Sequence, residues 1–325
     1  MLLVEEELMS ILVIGGMGFI GSRITNFLVQ LGEEVIVAGR RPLLYRLSDI
    51  ADKVKVLQGD KVYIEQVMDW VKAYKVEKII DVSAELESES EQAPYIATRI
   101  NIVGSLNVFE AARIMGVRRI VWASSLAVYG DKRRAQGIPQ NEDSLNNPIT
   151  VYGACKSYGE LVAKVYNAKW NMDIACLRPS SIYGPLRAGG ATGWLSDIVR
   201  KPLEGEIVDI PQGPEETTNY CFVDDCADAF VRCCQYRGGR LPHAIYYIGG
   251  FKATVRQLMD EVKKQIPSAE ARYHGKQMYY VDVIDNRLIR EDLGFKLNYD
   301  LEGGVREQVA RQRLLNEKEK SAKVK

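Results

Sequence analysis

The chain has 325 residues, of which 46% are hydrophobic and 26% charged, which excludes a disordered or fibrous protein. Its 43 basic and 43 acidic residues cancel, so no net charge attracts nucleic acid or an anionic membrane. No run approaches the roughly 18 consecutive apolar residues of a membrane span. The opening MLLVEEELMS, with three glutamates, does not fit a secretory signal. We therefore expect a cytoplasmic protein with neither nucleic acid nor a membrane as partner.

The six cysteines include no C-x-x-C pair, and with only two histidines no spacing resembles a zinc site. The sequence therefore predicts reduced thiols and no metal site.

Short β-branched runs alternate with amphipathic stretches in the N-terminal half, as in βαβ units with a buried parallel sheet. The predicted strands are residues 11–14, 34–38, 54–57, 78–82, 119–123, 174–177 and 245–250. A first helix is predicted to end near residue 31, and further helices cover residues 64–74, 96–115, 151–170, 256–266 and 302–315. This order predicts an α/β fold with a doubly wound parallel sheet.

Glycine and proline become frequent after about residue 178, which predicts a smaller, loop-rich substrate domain in the C-terminal part. The dinucleotide-binding domain is predicted to comprise residues 1–178 and about 218–250. The substrate domain takes residues from about 179 to 217 and 251–315, and residues 316–325 form a frayed tail.

A glycine-rich turn follows the first predicted strand and opens the first helix. Gly15, Gly18 and Gly21 let the chain turn sharply, let backbone approach a pyrophosphate, and let helix and strand pack closely. Phe19 and Ile20 begin the helix, whose N-terminal amides favour negative charge. The pattern predicts a Rossmann-type dinucleotide site.

The segment VIGGMGFIGS resembles the opening of extended short-chain dehydrogenases/reductases, the NAD(P)-dependent epimerase/dehydratase family. The resemblance implies an adenine-binding aspartate at Asp60 and a turn that lines the cofactor at Ser83 and Ala84. It further implies cofactor-site residues in later segments, namely Asn101, Pro179, Ser181 and Ile182. Asp81 departs from the pattern, because many relatives have histidine there.

The end of the second strand bears on the choice between NAD and NADP. An acid there would bind the adenosine ribose hydroxyls, but the chain reads Ala38-Gly39-Arg40-Arg41. Guanidinium groups bind phosphate through paired hydrogen bonds, so Arg40 and Arg41 predict NADP, with NAD possible. The alternative is that both arginines are solvated surface charges.

Tyr152 and Lys156 lie four residues apart at the start of a predicted helix, so both can point into one cleft. We expect the nearby cation to lower the pKa of the tyrosine and so make it an acid–base group. The upstream WASSLAVYG resembles the family's serine motif, which implies Ser125 as the catalytic hydroxyl, with Ser124 as the neighbouring alternative. Ser124, Tyr152 and Lys156 are also expected to contact the cofactor.

Three activities are compatible with this scaffold, and the residues favour an NADP-preferring oxidoreductase acting on a ketone or secondary alcohol, with Tyr152 as acid/base. A dehydratase is disfavoured, because its relatives carry an acidic pair where this chain has Leu126 and Ala127. A nucleotide-sugar 4-epimerase with retained NAD is the alternative. Its relatives commonly place an arginine at the Thr218 position, for which Arg187 or Arg287 could substitute. A hypothesis from a different class is a non-catalytic NADP-binding sensor or scaffold.

The small-molecule substrate is expected to contact Ser125 together with residues of the loop-rich part, namely Tyr183, Arg187, Trp194 and Tyr220. For the aromatic residues among them, ordinary packing is the alternative. The helices over residues 96–115 and 151–170 resemble those through which relatives pair, which implies a homodimer.

Overall fold

The structure is a computed structural model that describes residues 10–323. The prediction about a secretory signal falls on residues 1–9, outside the described residues, as do the last two residues of the predicted tail. The described part contains twelve strands: β1 (Ser10–Ile14), β2 (Glu34–Gly39), β3 (Val54–Gln58), β4 (Val76–Asp81), β5 (Arg119–Ala123), β6 (Ile174–Pro179), β7 (Ser181–Tyr183), β8 (Val208–Gln212), β9 (Thr217–Phe222), β10 (Ile245–Ile248), β11 (Phe251–Thr254) and β12 (Ala271–Lys276).

The same part contains twelve α-helices: α1 (Phe19–Gln30), α2 (Ile64–Ala73), α3 (Glu87–Gln92), α4 (Pro94–Thr98), α5 (Gly104–Met115), α6 (Lys132–Ala135), α7 (Val151–Trp170), α8 (Trp194–Leu203), α9 (Val223–Gln235), α10 (Val255–Gln265), α11 (Arg287–Leu293) and α12 (Leu301–Lys323). Short 3₁₀ turns cover Leu44–Leu47, Ala51–Lys53 and Leu126–Tyr129, and a π-helical turn covers Arg99–Val103. None of the helices within residues 10–323 is long and apolar enough to cross a bilayer.

Seven parallel strands form the central sheet, in the order β10-β6-β5-β4-β1-β2-β3. Helices α1 and α9 cover one face and α2, α5 and α7 the other, so the inner strands are buried on both sides. This burial explains why their sequences are nearly continuous β-branched and apolar runs. The strand order reverses between β1 and β4, where ligands of open α/β sheets bind. The predicted fold class is confirmed.

The loop-rich region contains two small sheets that the sequence did not predict. Strands β11, β9 and β7 form one sheet, and β12 pairs with β8 in the other. Strand β9 belongs to the first of these, although the predicted division assigned most of its residues to the dinucleotide-binding domain. The division into two domains stays a prediction.

Two predicted helices differ from the structure. The helix predicted over residues 96–115 is interrupted by the π-helical turn at Arg99–Val103, which inserts one extra residue into the helical repeat. Helix α12 continues to Lys323, through most of the segment predicted as a frayed tail from residue 316, and the frayed tail stays a prediction. The continuation contains neither glycine nor proline and is rich in Glu, Lys and Ala, which favour helix.

Candidate active site

The glycine-rich turn after β1 forms a cradle that side chains would fill. A Cβ atom on Gly21 would lie 2.1 Å from the Gly15 carbonyl oxygen, and one on Gly18 would lie 2.9 Å from it. Gly15 has a φ of +82°, which side-chain-bearing residues rarely adopt. Helix α1 begins at Phe19 with no side-chain cap, so its first amides are available to an anion.

A groove of about 380 Å³ lies over this turn, at the carboxyl ends of β1, β2 and β4. It brings together ten of the predicted cofactor-binding residues: Gly15, Gly18, Phe19, Ile20, Gly21, Arg40, Arg41, Asp60, Ser83 and Ala84. Arg46, which the sequence did not indicate, also lines the groove. The Arg46 guanidinium donates to the Leu186 carbonyl at 2.8 Å and to the Met17 carbonyl at 3.4 Å.

The two predicted phosphate-binding arginines differ in their surroundings. Arg40 forms an ion pair with Glu85, which follows β4, while Arg41 is exposed. An acid therefore does approach the end of β2, but it comes from a neighbouring strand rather than from β2 itself. No local pattern at residues 38–41 could have indicated this partner, because it lies 45 residues away.

The unusual Asp81 is explained by a buried ion pair beneath the groove. Its Oδ2 accepts a hydrogen bond from Lys61 Nζ at 2.7 Å, and both side chains are almost fully buried. The other oxygen, Oδ1, accepts from the backbone amide and the hydroxyl of Ser83. Lys61 Nζ also donates to the Ser83 carbonyl at 3.0 Å. The pair thus fixes the turn that lines the groove, and Lys61 is a second site residue that the sequence did not reveal.

Asn101 does not line the groove but lies buried behind it. Its side chain accepts from the Glu85 amide and donates to the Glu85 carbonyl, both at 2.9 Å. Both contacts hold the loop after β4, so Asn101 supports the groove through this loop.

A pocket of about 130 Å³ lies beside the groove and contains the predicted catalytic residues. It is lined by the predicted residues Ser124, Ser125, Tyr152, Lys156, Pro179, Ser181, Ile182 and Arg187. Thr150 caps α7 by accepting the Gly153 amide at 3.0 Å, which sets the direction of the first turn. Tyr152, in that turn, lines the pocket together with Ser125.

The pKa values of the pair differ from the sequence-based expectation. Burial raises the pKa of Tyr152 to about 12, although the hydrogen bond from Ser125 lowers it. Burial also lowers the pKa of Lys156 to about 7, and the nearby Lys61 lowers it further. The Lys156 ammonium donates to the Ala123 carbonyl at 2.6 Å and lies 5.5 Å from the centroid of the Tyr152 ring. The pKa of Tyr152 is therefore raised, and not lowered as the sequence led us to expect, because burial is the largest effect.

The alternative hydroxyl, Ser124, belongs to a buried polar network. It donates to Glu160 Oε1, and Arg178 donates to both oxygens of the same carboxylate at 2.7 Å. Glu160 lies on α7, so the network ties this helix to the ends of β5 and β6. Because Glu160 takes the Ser124 hydroxyl hydrogen, Ser125 is the serine of the two whose hydroxyl hydrogen is not committed to Glu160.

The three aromatic residues predicted to contact the substrate lie outside the catalytic pocket. Tyr183 and Tyr220 are fully buried, and their rings contact each other edge to face with centroids 6.3 Å apart. Trp194 is buried in the same cluster, and none of the three lines the catalytic pocket. The alternative, ordinary packing, describes them, because large aromatic rings in a small sheet fill its core.

A polar wall faces Tyr152 instead, formed by residues that the sequence did not reveal. It includes Glu87 of α3, Tyr280, Ser180 and Thr192. Glu87 accepts hydrogen bonds from the Tyr279 and Tyr280 hydroxyls, at 2.8 Å for Tyr280. These partners lie 192 and 193 residues away in the sequence, so no local spacing predicts them.

A sequence profile of the NAD dependent epimerase/dehydratase family matches residues 11–249. The chain belongs to this family. It is 29% identical over 310 residues to UDP-glucose 4-epimerase of Mycolicibacterium smegmatis, with 91% of this chain and 96% of the relative covered. Over 314 residues it is 24% identical to mitochondrial L-threonine 3-dehydrogenase of Bos taurus, covering 91% of this chain and 81% of the relative.

Among solved structures, the UDP-glucose 4-epimerase of Thermus thermophilus in complex with NAD superposes with a TM-score of 0.84. That match has 25% identity and covers 94% of this chain and 99% of the other. The family member described here is therefore a nicotinamide-dependent enzyme of the short-chain dehydrogenase/reductase superfamily.

Proposed function

We propose that the protein is an NADP-preferring oxidoreductase that transfers a hydride between the nicotinamide and a ketone or secondary alcohol. The observation that carries this proposal is that Ser125, Tyr152 and Lys156 line one pocket beside a dinucleotide groove. Two hydroxyls at one point can hold a single substrate oxygen and exchange a proton with it.

The groove residues fit a dinucleotide. The cradle formed by Gly15, Gly18 and Gly21 leaves room for a pyrophosphate against the uncapped amides of α1. Arg41 is free to bind a 2′-phosphate, and Arg40 can do so by exchanging its contact with Glu85. A 2′-phosphate offers more negative charge than one carboxylate, which supports NADP as the preferred cofactor.

The chain's own residues account for the proton chemistry. When bound, the nicotinamide gives or accepts the hydride. Tyr152 then receives the hydroxyl proton of an alcohol or donates its proton to the oxygen of a ketone, and Ser125 donates a hydrogen bond to that oxygen. Lys156 lies close enough to stabilise the phenolate.

A nucleotide-sugar 4-epimerase with retained NAD is the second candidate, supported by the similarity to UDP-glucose 4-epimerase. Two observations disfavour it. Thr218, at the position of the usual arginine, is buried and hydrogen-bonded to Ser181. Arg287, one possible substitute, is exposed and lines neither cavity, which leaves Arg187 alone to bind a diphosphate.

The decisive experiment identifies any nucleotide released on denaturation and titrates NADPH and NADH into wild type and the double variant Arg40→Ala/Arg41→Ala. We expect no retained NAD and a tighter Kd for NADPH than for NADH. The double variant should lose about 10- to 100-fold in NADPH affinity with NADH almost unchanged, as for lost charge-assisted hydrogen bonds. Arg256→Ala, which removes an exposed ion pair with Glu215, is the control. Tightly retained NAD would instead favour the epimerase.

A second variant separates an enzyme from the sensor or scaffold hypothesis. Tyr152→Phe should lower the rate of carbonyl reduction by about 10²- to 10⁴-fold while NADPH still binds. If the biological function of the protein survives Tyr152→Phe with cofactor binding intact, the non-catalytic hypothesis is correct.

We further propose a homodimer formed through α4, α5 and α7. Large apolar side chains on these helices are exposed, including Tyr95 at 73% and Leu161 at 60%. Exposed apolar surface of this kind is typical of a subunit interface. A cytoplasmic location is supported by the six cysteines, all of which are unpaired and buried.

A further inference from the structure

The wall that faces Tyr152 contains a buried acid with no basic partner. Glu87 is 9% exposed and lines the catalytic pocket. Its two oxygens accept hydrogen bonds from the neutral hydroxyls of Tyr279 and Tyr280. Within residues 10–318, whose side chains the structure describes, no lysine, arginine or histidine forms an ion pair with it. Buried carboxylates are normally paired, because an isolated charge is costly to remove from water.

The carboxylate is also held in place before any ligand arrives. Tyr279 and Tyr280 are adjacent in sequence, and each phenol donates to a different oxygen of Glu87. Two donors fix the carboxylate in one orientation, which lowers the entropic cost of binding a cation. Each carboxylate oxygen can still accept a further hydrogen bond, because an ionised carboxyl group has about four acceptor sites.

A buried hydroxyl group in the same pocket has no hydrogen-bond partner within the described residues. Ser180 is 7% exposed, and its buried hydroxyl makes no hydrogen bond in the described structure. Buried hydroxyl groups are usually hydrogen-bonded, so this one points to a polar ligand in the pocket. The pocket of about 130 Å³ is smaller than the roughly 300–1,000 Å³ that drug-sized ligands occupy.

We propose that Glu87 binds an ammonium group of the substrate, so that the substrate is a small amino alcohol or the corresponding amino ketone. The inference rests on the proposed function and adds the chemical class of its substrate. In the oxidation direction the carbinol carbon loses its hydrogen as hydride to the oxidised nicotinamide, and the hydroxyl proton passes to Tyr152. The ammonium group keeps its protons and serves only to position the substrate against Glu87.

Two pairs of probes of equal size test the proposal, each differing only by ammonium against methyl. These are 1-amino-2-propanol against 2-butanol for oxidation with NADP, and aminoacetone against 2-butanone for reduction with NADPH. For wild type at pH 7 we expect kcat/KM to be about 10- to 100-fold higher for the ammonium member of each pair. Glu87→Gln should remove this preference, so that the two members of each pair react with kcat/KM values within about threefold of each other. Glu215→Gln, which loses an exposed acid, should keep the preference.

The outcomes separate this inference from the proposed function. Equal kcat/KM values within each pair for wild type overturn the role of Glu87 without any variant, so the test does not depend on Glu87→Gln folding. Equal losses for both members in Glu87→Gln also overturn it. If no probe turns over, the oxidoreductase proposal is in doubt, and thermal shifts with NADPH then decide on Glu87. A larger shift with 1-amino-2-propanol than with 2-butanol that disappears in Glu87→Gln supports ammonium binding, and equal shifts refute it.

Discussion

The buried ion pair of Lys61 and Asp81 offers a sharp test of how the cofactor groove is held. Asp81→Asn leaves one uncharged oxygen, and when this oxygen accepts from Ser83 the amide NH2 group faces the Lys61 ammonium, which lies 2.7 Å from Oδ2 in the wild type. Removing one partner of a buried pair costs about 3–5 kcal/mol, because the other charge remains buried without compensation. At roughly 2 °C per kcal/mol for a chain of this size, the Tm should fall by about 6–10 °C.

The assay is thermal and urea denaturation of wild type, Asp81→Asn, Lys61→Met and the double variant. The double variant removes both charges, so it should recover at least half of the stability lost in Asp81→Asn. Asp228→Asn is the matched control, because its partner Arg232 is half-exposed and such surface pairs contribute at most about 1 kcal/mol. A Tm for Asp81→Asn within about 2 °C of wild type, equivalent to about 1 kcal/mol or less, would refute the reasoning.

Three further predictions concern the site and the assembly. Because burial raises the pKa of Tyr152 to about 12, kcat/KM for alcohol oxidation, which needs the phenolate, should rise about tenfold per pH unit from pH 7 to 10, while ketone reduction stays flat. Ser125→Ala removes the hydrogen bond that lowers this pKa and should move the oxidation profile to higher pH; an unchanged profile contradicts its role. Gly21→Ala places a Cβ 2.1 Å from the Gly15 carbonyl oxygen, so NADPH affinity should fall at least about tenfold in a fluorescence titration, and an unaltered Kd argues against the cradle. Leu161→Glu should convert the dimer to a monomer in light scattering at micromolar concentration; a wild type that is already monomeric rules the dimer out.

The central sheet could be predicted from sequence because each of its strands is a local feature. Buried parallel strands are continuous apolar runs, and β1 and β5 each have four consecutive apolar residues after a polar first residue. The small sheets lack this signal. Strand β7 has three residues, and β11, with four, contains an exposed Lys252. Segments this short can be identified as strands only from the strands with which they pair. The partner of β11 is β9, about thirty residues earlier in the chain.

The same distinction separates the site residues that the sequence indicated from those it did not. The glycine-rich turn lies at the start of α1, and Tyr152 and Lys156 lie in neighbouring turns of α7. The geometry of each therefore follows from a short stretch of sequence. The partners of Asp81 and Glu87 lie 20 and more than 190 residues away. The departure of Asp81 from the family pattern was a signal of a different kind, because an acid in a buried strand requires a cation nearby.

The burial of the three aromatic residues has a consequence for specificity. Tyr183, Trp194 and Tyr220 pack the small sheet onto the central one, so they cannot adapt to a substrate without loss of core packing. The surface that can vary without this cost is the polar wall, whose groups come from α3, the link between β6 and β7, the loop before α8 and the segment that carries Tyr280. A wall of charged and hydroxyl groups discriminates through hydrogen bonds, which reject a substrate lacking the matching group far more strongly than an apolar wall does. We therefore expect substrate choice to depend on the few polar groups around Tyr152, and exchange of one of them to change it more than any enlargement of the pocket.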